Sequence, residues 1–197
     1  ISDTVLATEK GSSTTSGVYK VSLEELDPKN PLQIAAYKGK DNFDAHLFEV
    51  FYSDGSLGFG ANGLAVDGLG NLYTGIMEEG TVYKTTISNN GTKQSTTLFS
   101  EGLIASDGIQ WSEDSQALYI TDLFDNAAYS IDVNGKTTLL TKNKDSDGTN
   151  NELDGPGEAI VRGNTVYITN FDAVFDAPNM ANTQADAPFT ISTVSLK

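Results

Sequence analysis

β-Branched and aromatic residues alternate with small polar ones along most of the chain, broken at short intervals by Gly, Asn and Asp. That is the pattern of short strands joined by tight turns. It predicts strands at residues 5–8, 17–23 and 32–37, then at 64–66, 72–76, 80–87 and 95–99, with Asn89-Asn90-Gly91 as a hairpin turn. A further set falls at 109–111, 117–121, 127–133 and 136–140, turned at Asn134-Gly135, and a last at 159–161, 165–169 and 190–196. No stretch carries the apolar period of a long helix, and residues 23–26 suit a single turn. Two segments escape the pattern: 142–153 is polar and glycine-bearing, and 171–188 is rich in Asp, Asn, Ala and Pro and is expected to cover one face.

A longer repeat overlies the strands. Asn62-Gly63-Leu64-Ala65-Val66-Asp67 leads to Asn71-Leu72-Tyr73-Thr74, and Asp107-Gly108-Ile109-Gln110-Trp111 leads to Ala117-Leu118-Tyr119-Ile120-Thr121. Asp154-Gly155-Pro156-Gly157-Glu158-Ala159-Ile160 leads to Asn164-Thr165-Val166-Tyr167-Ile168-Thr169. The leading residues are 45 (62 to 107) and 47 (107 to 154) apart, a period that signals a β-propeller. The predicted fold is all-β: four-stranded blades, about four of them, near residues 1–42, 59–100, 104–141 and 152–197. Residues 3–8 match the second strand of a blade, so no first strand precedes them, and the last blade has three strands. Open strand edges invite association. The two ends could close a four-bladed ring on each other; the favoured expectation is a larger, six-bladed ring completed by missing sequence or by another chain. The start at Ile1 reads as a processed or truncated product.

Composition narrows the chemistry. The chain has 197 residues, 38% hydrophobic and 20% charged, enough for one domain with a sizeable core. Acidic residues outnumber basic ones 27 to 12, for a net charge of −15. That sign disfavours nucleic acid and anionic membranes as partners and suits cations or a neutral small-molecule substrate. With no cysteine, thiolate metal sites, disulfides and cysteine nucleophiles are excluded. The one histidine, His46, cannot build an imidazole zinc site alone and sits in an irregular stretch, 41–60, unsuited to a triad. Asn90-Gly91-Thr92 is a glycosylation sequon in a hairpin loop, consistent with a secreted or extracellular protein.

The three repeated segments resemble the senescence marker protein/gluconolactonase family of calcium-dependent propellers, similar in fold to diisopropyl fluorophosphatase and the paraoxonases. The resemblance spans residues 60–172 and rests on Asn62 through Tyr73, Asp107 through Asp114, and Asp-Gly-Pro-Gly-Glu from Asp154. It implies one divalent cation, usually calcium, in the channel, with Asn62, Asp107 and Asp154 falling at ligand positions. Asp107 stands where the family has Asn, and the family's early Glu has no match; Glu9 is out of phase. Calcium takes six to eight oxygen ligands, and two carboxylates with an amide suit it better than zinc; magnesium is a second option. The ion would polarise a lactone or ester oxygen, with Asp154 as general base or nucleophile.

Bland roles compete. Asn-Gly and Asp-Gly are common turn pairs. Residues 144–152 lack the full EF-hand ligand order, Glu78 and Glu79 read as solvent-facing, and Tyr73, Trp111, Tyr119 and Tyr167 read as packing between blades. Two functions remain open: a calcium-dependent hydrolase of lactone or ester type, and a non-enzymatic propeller used for ligand binding or assembly.

Overall fold

The computed structural model describes residues 1–9 and 13–196. Its strands form four antiparallel sheets, each in simple sequence order. The first holds β1 (Ser2–Glu9), β2 (Ser13–Tyr19) and β3 (Leu47–Ser53). The second holds β4 (Ala61–Val66), β5 (Leu72–Ile76), β6 (Thr81–Ile87) and β7 (Lys93–Ser100). The third holds β8 (Ser106–Ser112), β9 (Ala117–Asp122), β10 (Ala127–Asp132) and β11 (Thr137–Lys142). The fourth holds β12 (Pro156–Arg162), β13 (Thr165–Asn170) and β14 (Ile191–Ser195). These are blades of a partial β-propeller. β7 leads into β8 and β11 into β12; β3 leads into β4 in the same way. The first sheet therefore matches the last three positions of a blade, and the fourth sheet the first three.

The core lies between the blades. Every residue of β5 and β9 is buried, because a second strand has a sheet packed on both faces. Side-chain alternation sends Leu72 to Val18 and Phe51 of the first sheet, and Tyr73 to Ile109 and Leu118 of the third. Tyr119 repeats the device against Val166 and Ile168 of the fourth. The Tyr73 ring stacks on Trp111 with centroids 5.7 Å apart and planes 3° apart. At the end of the ring where the first strands begin, Phe175, Ala177 and Met180 cover Met77, Ala105, Leu123 and Phe124. The 171–188 segment thus covers one face, as expected.

Three expectations are corrected. Residues 32–37 form no strand: they lie beyond Pro28 and Pro31, largely exposed, with no blade to bury them. The strand is instead β3, inside the stretch read as irregular. It alternates, burying Leu47, Glu49, Phe51 and Ser53, but one inward residue is a glutamate. Glu49 is buried because Lys93 Nζ (2.8 Å) and the Thr96 hydroxyl (2.5 Å) of the next blade meet it. Tyr167 is 43% exposed and packs between no blades. Glu78 is buried, not solvent-facing. Its Oε1 accepts from the Ser53 hydroxyl and Gly55 N–H, and its Oε2 from Leu57 N–H (3.0 Å) and Gly58 N–H (2.8 Å). Burial alone would raise its pKa, but these bonds outweigh it and hold the carboxylate below its usual range. Glu78 thereby fastens the segment that delivers β4.

Candidate functional site

β4, β8 and β12 carry a bulge at the same point. Ala61 pairs with Ile76 but Leu64 with Thr74; Ser106 pairs with Asp122 but Ile109 with Ile120; Pro156 pairs with Asn170 but Glu158 with Thr169. An extra residue re-aims the side chains beside it. The extra residues belong to Asn62-Gly63, Asp107-Gly108 and Gly157. Glycine is required because neighbouring bulges nearly touch. A Cβ on Gly63 would stand 2.2 Å from the Asp107 carbonyl oxygen, and one on Gly108 would stand 2.4 Å from that of Gly157. Thr121 locks the second contact, accepting from Gly108 N–H (3.1 Å) and donating to the Gly157 carbonyl (2.9 Å).

The bulges bring two of the expected residues into direct contact. Asn62 Nδ2 donates to Asp107 Oδ1 at 2.6 Å. Burial pushes the Asp107 carboxyl up to about 6; the Asn62 bond opposes this, and the charge of Glu158 adds to it. Glu158 is itself raised, by desolvation, against a hydrogen bond from Ala159 N–H. A carboxyl that titrates near neutrality, oriented by an amide, can accept and return a proton at ordinary pH.

Asp154 is placed differently. Ala65, Gln110 and Ile160 lie opposite Tyr73, Tyr119 and Tyr167. Counting back three residues from each gives Asn62, Asp107 and Gly157, so Asp154 precedes the equivalent position. Among the described residues no hydrogen bond joins Asp154 to Asn62 or Asp107. It is 2% exposed. Burial first, then Asp172, Asp186 and Asp145, push its carboxyl up to about 6. The carboxylate acting on Asp107 is Glu158, part of the quoted Asp-Gly-Pro-Gly-Glu but passed over because that motif was aligned on its aspartate. The Glu9 side chain lies outside the described residues. His46 is held between Asp44 Oδ1 (2.6 Å) and Glu25 Oε1 (3.0 Å), two carboxylates. In the 144–152 stretch, Asp147 accepts from Thr149 N–H at 3.0 Å, closing a local turn. Among the described residues, no three or more His, Asp or Glu side chains converge closely enough to hold a metal by themselves.

A partial propeller whose successive first strands bring Asn62 against Asp107 defines the class of protein, and comparison supplies the family. The profile described as SMP-30/Gluconolactonase/LRE-like region matches residues 32–171, and the chain belongs to that family. No curated protein sequence matches it. Among solved structures it is similar to XC5397, a gluconolactonase from Xanthomonas campestris, at 16% identity and a TM-score of 0.50, over 70% of this chain and 43% of that one. It is also similar to a luciferin-regenerating enzyme, at 13% identity and a TM-score of 0.52, over 99% of this chain and 60% of that one. The chain therefore spans about half the length of these structures, and at such identities the likeness is one of fold.

Proposed function

We propose that the Asn62–Asp107 pair is the reactive centre of a hydrolase acting on lactones or related esters. The observation that carries this reading is the 2.6 Å contact between two bulge residues of successive blades, with a carboxyl raised to about 6 at its centre. Membership of a family that includes gluconolactonases supports the substrate class.

Asp107 takes a proton from water as the oxygen adds to the acyl carbon. It returns the proton to the ring oxygen as the C–O bond breaks, leaving a hydroxy acid. Asn62 holds the carboxylate in one orientation while this occurs. Thr121 and the bulge glycines fix the backbone beneath, which keeps the reacting groups within the narrow tolerance that proton transfer needs.

A divalent cation fits this place by donor chemistry: the Asn62 amide oxygen and the Asp107 and Glu158 carboxylates are hard oxygen donors, and the Glu158 charge adds to the raised Asp107 carboxyl. The Asn62 amide oxygen and the Glu158 carboxylate would hold calcium beside Asp107, and when bound it would supply Lewis-acid polarisation of the acyl oxygen. Ring opening of a simple δ-lactone, followed at constant pH in calcium buffer and then in excess chelator, tests the reading. Hydrolysis that stops with chelator and returns with calcium is expected. No ring opening in either buffer contradicts the hydrolase reading, and undiminished hydrolysis in chelator contradicts the role of the ion.

A further inference from the structure

The 171–188 segment gathers a second set of oxygen donors, distinct from the Asn62–Asp107 pair. Asp154 and Asp172 are 2% and 4% exposed, and after burial the Asp172 charge is the largest influence raising the Asp154 carboxyl. Asp172 N–H donates to the Asp154 carbonyl at 3.1 Å. Asn182, 1% exposed, donates from Nδ2 to Asp172 Oδ1 at 3.0 Å, and Asp186 N–H donates to Asp172 Oδ2 at 2.5 Å. Asp145 faces the same group and accepts from the Thr183 hydroxyl through Oδ2. None of the ion pairs among the described residues brings a lysine or arginine to these four aspartates.

Unmet acceptors distinguish this cluster from a solvated acidic patch. Asp154 Oδ1, Asn182 Oδ1 and Asp145 Oδ1 are all buried without a hydrogen-bond partner. A buried acceptor with no donor is costly, and a buried carboxylate with no counter-charge is costlier. A water satisfies an acceptor but leaves the charge unanswered. A cation answers both.

We propose that Asp154, Asp172 and Asn182 bind a divalent cation, calcium by its donor chemistry, beneath the 171–188 segment. The donors mix carboxylate with amide carbonyl, and calcium accepts both along with backbone oxygen and water. The amide oxygen of Asn182 is essential, since the acidic groups alone do not complete a site. Asp145 and Asp186 supply further negative charge around the ion. Because Phe175 and Met180 of the same segment cover the end of the ring, the ion would hold that cover in place. This site stands whether or not the Asn62–Asp107 pair catalyses hydrolysis.

The test is calorimetric titration of calcium into chelator-treated protein, with melting temperature as a second readout. Wild type and the Asp107→Asn variant should both bind at this site and gain several degrees on saturation. Asp172→Asn and Asn182→Ala should each weaken that binding by about tenfold or more, through loss of a ligand or its charge. Asn182→Ala removes no charge, so it keeps the test open if Asp172→Asn fails to fold. Asp107→Asn protein that neither binds calcium nor gains stability from it would overturn the proposal. A calcium stoichiometry that falls by one equivalent in neither Asp172→Asn nor Asn182→Ala would overturn it equally, while hydrolysis is scored separately on the lactone.

Discussion

His46, the only histidine, reports directly on its surroundings. Hydrogen bonds donated to Glu25 and Asp44 outweigh slight desolvation and raise its pKa above the usual 6.5. The folded-state value lies above the unfolded one, so the clamp's full contribution is present below about 6.5 and is lost as pH rises through the folded value. Asp44, lowered to about 2 by hydrogen bonds from Ala35 N–H, His46 N–H and the His46 ring, keeps its contribution until pH falls toward that value. An NMR titration should place His46 above 6.5, and Asp44→Asn should bring it down. Glu78→Gln exchanges a carboxylate that four donors converge on for a group with one oxygen. A loss of about 2–3 kcal/mol is expected, read by denaturant unfolding, with faster exchange at the Leu57 and Gly58 amides. Asn62 and Asp107 were legible in the sequence because Asn-Gly and Asp-Gly mark places where the backbone must bend. Glu78 and Glu49 were not, because a charged residue is buried only by partners far along the chain. Asp154 lines up with Asn62 and Asp107 through its Asp-Gly pair, whereas strand pairing puts Gly157 at the equivalent position, and pairing is not visible in a motif.

At the scale of the element, second and third strands were readable from alternation and turn residues, whereas the strand at Leu47–Ser53 hid behind Glu49. The apolar stretch 32–37 read as a strand because local pattern does not reveal whether a neighbouring sheet exists to bury it. The first strands depend on their bulges, and the bulges on glycine. Gly63→Ala would drive a methyl against the Asp107 carbonyl, a backbone atom that cannot swing aside. The variant should lose about 1–3 kcal/mol and also loosen the Asn62–Asp107 contact, so unfolding midpoint and any lactone hydrolysis should fall together. An unchanged midpoint would mean that the blades do not approach as closely as this geometry requires.

Across the whole molecule the repeat period announced the propeller, and clusters between successive sheets supply the reason: no blade buries both of its faces without a neighbour. What the repeat could not announce is which polar groups converge, since that depends on hairpin length and on a loop reaching back from residues 171–188. The account rests on the Asn62–Asp107 pair being chemically active. Its most direct test is the rate of δ-lactone ring opening by wild type and by Asp107→Asn in the same calcium buffer, with circular dichroism confirming that both are folded. The substitution keeps the shape and the Asn62 contact but removes the base, so kcat/KM should fall by about 10²–10⁴-fold. A folded Asp107→Asn protein that opens the lactone at the wild-type rate would contradict the account.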